Sequence, residues 1–150
     1  MSTSPRNRTK AFSMIEMLIV IAVIGIMAAL VISAFSNVSQ DTRRVVARQQ
    51  QAEVQNAVNA WVNSYSQSNG LEAARTQYNG AGSGNNSSAR LAMVKSYLDD
   101  STYSHLASNT SAGDQDKVKS AAMKKTGQYI VLSDWAQNSY PKVELLETTP

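Results

Sequence analysis

An α+β fold is what this 150-residue sequence predicts: one long N-terminal helix packed on a small C-terminal head that carries a short antiparallel sheet. Three observations predict it. Residues 12–35 form an apolar run whose only charge is Glu16. Helical periodicity then continues to about Ser68, with no proline between Pro5 and Pro141 to break it. Near the C-terminus, residues 128–133 and 142–147 read as strands, with residues 134–140 as their connection.

The elements follow in order. Residues 1–11 hold the basic stretch Arg6-Asn-Arg8-Thr-Lys10-Ala11, a leader ahead of the apolar run. At about 1.5 Å per residue, a helix over residues 12–35 spans roughly 36 Å, enough for a bilayer core of about 30 Å. An ordinary cleaved signal has an apolar region of only about 7–15 residues, so the small residues Ser33-Ala34 are a weaker reading as its cleavage site. Glu16 is the costly exception, since insertion scales charge about 2.5–3.5 kcal/mol for an ionised side chain at a helix centre. Its partner is the main functional question the sequence raises.

Residues 36–68 read as an amphipathic continuation of the same helix. Val38, Thr42, Val45, Val46, Val54, Ala57, Val58, Trp61, Val62 and Tyr65 form one stripe, with Arg43, Arg44, Arg48, Gln50, Gln51 and Glu53 mostly off it. Val58, Trp61, Val62 and Tyr65 are the expected contacts between helix and head, and Gly70 is the expected cap. Residues 69–150 form the head. Within it, residues 69–88 read as loop around Gly80, Gly82 and Gly84. Residues 88–98 read as a short helix with Leu91, Val94 and Leu98 on one face, residues 99–113 as polar and ambiguous, and residues 114–125 as a second short helix or irregular segment.

Charge and composition narrow the function. The formal charge is +3, yet Arg6, Arg8 and Lys10 account for all of the excess: the other eleven basic residues balance eleven acidic ones. That distribution fits positive-inside topology and gives no evidence of a nucleic-acid surface. With no cysteine, thiolate metal sites, disulfides and thiol nucleophiles are absent. His105 is the only histidine, and Asp114-Gln-Asp116 falls short of the six to eight oxygens calcium takes. Lys117, Lys119, Lys124 and Lys125 form a local basic cluster beside those aspartates, read as a solvated face. The Asn-x-Ser/Thr triplets at Asn37, Asn85, Asn86 and Asn109 are expected by chance in a chain this rich in Asn and Ser. No catalytic constellation, metal site or cofactor is expected.

The segment Lys10-Ala11-Phe12-Ser13-Met14-Ile15-Glu16-Met17-Leu18 resembles the leader of type IV pilins and their relatives, the type II secretion pseudopilins and competence pilins. In that family a basic leader ends in a small residue, normally Gly, followed by Phe, a small polar residue, two apolar residues and Glu. The resemblance implies a pilin-like fold and cleavage by prepilin peptidase between Ala11 and Phe12, with N-methylation of Phe12. Ala11 in place of Gly is the departure, and it stays small and uncharged. The resemblance covers about thirty residues and says nothing of the head.

Cleavage would give Phe12 an amine that is charged near neutral pH, and a subunit displaced along a filament could bring that amine to the Glu16 of its neighbour. Gly25, Ala29 and Ser33 recur every four residues, the spacing that lets membrane helices approach closely, although such residues are also simply common there. The resemblance also places a helix break near Gly25, with Ser33 where an accompanying proline often stands. The implied partners are identical or related pilin subunits, prepilin peptidase, an inner-membrane assembly platform and, before assembly, membrane lipid. The implied precursor crosses the inner membrane once with its leader in the cytoplasm, then enters an extracellular pilus. A periplasmic secretion pseudopilus, a DNA-binding competence pilin using residues 117–125, and an anchored binding protein that never polymerises are the alternatives.

Overall fold

The computed structural model describes residues 13–81 and 86–148, apart from the Ser36 side chain. Gly82, Gly84, the leader and the Ala11–Phe12 junction lie outside the described residues. The chain divides into two units, Met1–Ser39 and Gln40–Pro150. The helix α1, Met14–Asn69, contributes to both. It begins two residues after the expected start, because Ser13 caps its first turn instead of joining it.

In the first unit the helix is apolar or small on every face from Met17 to Phe35, and all of these residues are exposed. Burial begins in the second unit. There Ala47, Val54, Ala57, Val58, Trp61 and Val62 line the inner face of α1, the three-and-four spacing of an amphipathic helix. The outer end of the expected stripe does not join them: Val45 is 61 % exposed and Val46 36 %. Gln50 and Gln51, expected off the stripe, are half-buried on the packed face instead. For Gln51 the reason is chemical: α1 docks on a strand edge, and an edge offers N–H and C=O groups that valine cannot bond. Gln50 Oε1 is buried with no hydrogen-bond partner among the described residues.

Gly70 ends α1 at φ +84°, a conformation that other residues rarely adopt, and its N–H donates to the Ser66 carbonyl at 2.9 Å. The expected loop over residues 69–88 is largely helical: α2, Leu71–Asn79, starts directly after the glycine and buries Ala74 and Tyr78 one turn apart. Next comes α3, Ser87–Met93, capped by Asn86, whose side chain accepts from the Ala89 N–H at 2.9 Å. A 3₁₀ turn, Lys95–Tyr97, follows; Leu91 and Val94 are buried and Leu98 is partly so. The ambiguous residues 99–113 hold α4, Asp100–Asn109, anchored in the core through Leu106. Asp99 caps it, and the hydrogen bonds from Ser101 and Thr102 hold that carboxyl below the usual range.

The helix α5, Ala121–Thr126, ends in Gly127 at φ +70°, the left-handed cap that turns the chain straight into the sheet. Strands β1, Gln128–Leu132, and β2, Val143–Glu147, pair antiparallel with Gln128 opposite Glu147 and Leu132 opposite Val143. The strands and their connection fall where the sequence places them, to within a residue. Together these elements give the expected α+β architecture: a long N-terminal helix and a small C-terminal part with a two-stranded antiparallel sheet.

Candidate assembly site

The first turn of α1 answers part of the question that Glu16 raises. Glu16 Oε2 accepts the Ser13 backbone N–H at 2.9 Å, and Ser13 Oγ accepts the Ile15 N–H at 3.4 Å. Ser13-x-x-Glu16 is thus a capping box, each residue satisfying an N–H that the helix leaves without an internal acceptor. The signal stands in the sequence as Ser followed three residues later by Glu before an apolar run, and a reading of Glu16 only as a membrane charge passes over it. The carboxylate also sits at the positive end of the helix dipole. Its cost in an apolar environment is therefore partly offset within its own chain.

From Met17 to Phe35 the helix offers only apolar or small side chains. Ile15, Leu18, Ile19, Ile24, Met27, Leu30 and Ile32 are each more than half exposed. Gly25 lies within the helix, and a Cβ built on it would meet nothing within 4 Å. Ala29 and Ser33 share its face one and two turns on, and both are exposed. This helix is long and apolar enough to cross a membrane, the only such one among the described residues.

In the second unit, the residues expected to join helix and head are all at the core. Val58 and Val62 are fully buried, Trp61 is nearly so, and Tyr65 is half-buried against the cluster. The Trp61 ring stacks on Tyr65 with centroids 5.0 Å apart and meets Tyr78 of α2 at 6.1 Å. Tyr78 in turn meets Trp135 edge-on at 6.2 Å. Aromatic area dominates this packing.

Polar anchors that periodicity does not show complete the docking. Gln51 Nε2 donates to the Val143 carbonyl at 2.8 Å. Gln55 Oε1 accepts the Val143 N–H at 2.8 Å, and its Nε2 donates to the Pro141 carbonyl at 3.0 Å. Two glutamines one helical turn apart thus bond the outer edge of β2 as a third strand would. On the other edge, Ile130 exchanges two bonds with Val118, at 2.8 and 2.9 Å. Leu132 there gives its N–H to Ser87 Oγ at 3.0 Å and its carbonyl to the Arg90 guanidinium.

Of the head's other candidate groups, Asp114, Lys117 and Lys119 are committed to one another. Asp114 pairs with Lys117 at 3.6 Å and with Lys119 at 3.3 Å, and Lys117 lies over the Tyr129 ring at 5.5 Å. That leaves Lys124 and Lys125, exposed in the last turn of α5, where cations complement the helix dipole. His105 is exposed on α4. Among the described residues no group of three His, Cys, Asp or Glu is placed to hold a metal ion.

Comparison with known proteins bears on the N-terminal segment. No curated protein and no solved structure matches the chain. One family description does match, and it points to a structural, pilin-type protein made as a membrane-anchored precursor. It implies processing by prepilin peptidase and assembly with other pilin subunits. Residues 6–32 match the prokaryotic N-terminal methylation motif, which makes this chain one that carries the prepilin signature of type IV pilins and pseudopilins.

Proposed function

We propose that the chain is a structural subunit of a type IV pilus-like filament, assembled from the inner membrane through its N-terminal helix. The observation that carries this reading is the methylation motif at residues 6–32, read together with Glu16 as the sole charge of the apolar run over residues 12–35. Prepilin peptidase cuts between Ala11 and Phe12 and Phe12 is N-methylated. The new amine then pairs with Glu16 of an adjoining subunit. A buried pair adds little net stability, but one left without its partner costs about 3–5 kcal/mol, so the pair acts as a register device. Gly25, Ala29 and Ser33 let neighbouring helices approach, and the exposed aliphatic side chains around them are covered first by lipid and then by other subunits. The leader faces the cytoplasm in the single-pass precursor, and the filament is extracellular. The chemistry assigned to the chain is assembly, with no cofactor, metal or catalytic step. The same motif serves a secretion pseudopilus, in which case the filament is short and periplasmic.

Mass spectrometry of the mature N-terminus in a sheared surface fraction tests the reading. Methylated Phe12 in that fraction is expected. Confinement to the periplasm with a secretion defect on deletion selects the pseudopilus instead, and an N-terminus at or beyond Phe35 overturns both. The Glu16→Ala variant is expected to be cut and inserted normally and to yield no filament; wild-type filament yield would remove the register role.

A further inference from the structure

The sequence contains two Asn-Gly pairs, Asn69-Gly70 and Asn79-Gly80, and the fold sets them up as an internal comparison. An asparagine before glycine is prone to a spontaneous reaction. The glycine amide nitrogen attacks the side-chain carbonyl carbon and loses its proton, the C–N bond to the side-chain nitrogen breaks, and ammonia leaves. Water then opens the cyclic imide at either carbonyl, leaving aspartate or isoaspartate. Glycine favours the attack because no side chain obstructs its nitrogen.

At both sites the nucleophile is held alike. Each asparagine is the last residue of its helix, and each glycine N–H donates to the carbonyl four residues back, Gly70 to Ser66 and Gly80 to Thr76, both at 2.9 Å. The difference lies at the carbon to be attacked. The Asn79 carboxamide is clamped on both sides by the Trp135 backbone: Nδ2 donates to the Trp135 carbonyl at 3.0 Å, and Oδ1 accepts the Trp135 N–H at 2.8 Å. Trp135 is itself buried. Swinging that carboxamide toward Gly80 breaks both bonds and leaves two backbone groups without partners. Asn69 is exposed, and its carboxamide makes one long bond, to the Tyr65 carbonyl at 3.3 Å. Fraying of the last turn of α1 releases both its side chain and the Gly70 nitrogen, and helix ends open far more readily than core contacts.

We propose that Asn69 is a site of spontaneous conversion to aspartate and isoaspartate in the folded protein, and that the Trp135 clamp shields Asn79 from the same reaction. The product puts a negative charge at the C-terminal end of α1, where the helix dipole disfavours it, so conversion loosens the corner between α1 and α2. The purified full chain, held in detergent micelles at mildly alkaline pH, provides the test. Tryptic peptides 49–75 and 76–90 separate the two sites, and fragment spectra assign the converted residue.

In the folded chain Asn69 is expected to convert faster than Asn79 by on the order of tenfold or more. In concentrated urea, where the clamp is gone, the two rates should approach each other. The Asn69→Gln variant should lose conversion at residue 69 and keep the slow rate at Asn79. Similar rates in the folded chain would overturn the proposal, and so would a rate ratio that survives urea. An unchanged Asn69 in a folded sample, over a time in which the unfolded chain converts, would overturn it as well.

Discussion

At the scale of single residues, Arg90 and Tyr78 carry the most polar risk in the head. The Arg90 guanidinium is almost wholly buried, bonds the carbonyls of Tyr78 and Leu132 and the Asp134 carboxylate, and lies over the Tyr78 ring at 5.2 Å. Its partners differ in kind. The Asp134 side chain is 73 % exposed, so solvent screens that ion pair, whereas the two carbonyls are reached inside the core. Asp134→Asn should therefore cost less than about 1 kcal/mol. Arg90→Leu should cost about 2–4 kcal/mol, because it leaves buried acceptors without donors. Urea unfolding of the two variants checks the order, and an equal loss would mean that the ion pair dominates.

Tyr78 is fully buried and its hydroxyl has no hydrogen-bond partner among the described residues. Burial pushes its hydroxyl from the ordinary 10.0 up to about 12, with the Arg90 charge working in the opposite direction. The unfolded chain thus releases this proton first. Between those two values the folded state binds more protons, so its stability is complete below 10.0 and falls as pH rises toward about 12. Tyr78→Phe should remove this component of alkaline instability and change stability near neutral pH by less than about 1 kcal/mol, since no bond is lost. Denaturation midpoints of both proteins across that pH range test the sign.

At the scale of elements, the junction of α1 with β2 depends on Gln51 and Gln55 as much as on apolar contact. Gln55→Leu keeps the bulk and leaves the Val143 N–H and the Pro141 carbonyl without their partner. A loss of about 1–3 kcal/mol is expected. Hydrogen exchange at the Val143 amide should quicken at the same time, which separates loss of this bond from general softening. Elements that announce themselves by apolar period, α1 and the two strands, are legible in the sequence, as is the Gly70 cap; the Gly127 cap is shown only by the structure. Two helices are not. The nine residues of α2 and the ten of α4 are too short to be stable alone, and each owes its place to one or two inward side chains, Ala74 and Tyr78 or Leu106. The crowded glycines at positions 80, 82 and 84 also pull a local reading of α2 toward loop. The site is legible to the same degree: the charge, small-residue spacing and aromatic contacts of α1 stand in the sequence. The glutamines do not, because a polar side chain that bonds a strand edge reads like one in solvent.

At the scale of the whole molecule, the two units differ in where their stability comes from. Every buried apolar residue of the core lies at Ala47 or beyond, whereas the large apolar residues described in the first unit are exposed. Among the described residues, none before Gln40 belongs to that buried core. A chain beginning at Gln40 should fold in water without detergent and unfold in urea as one cooperative transition. Near-ultraviolet circular dichroism from Trp61 and Trp135 should match that of the full chain in micelles, because both rings are buried within the second unit. The full chain should need micelles or other subunits to stay dispersed, since a contiguous exposed apolar surface of this kind drives association in water. A truncated chain that keeps its helical signal but loses the near-ultraviolet bands would show that the first unit contributes to the fold of the head. A full chain that stays monomeric in plain buffer would remove the reason to assign its first unit to a membrane or a filament.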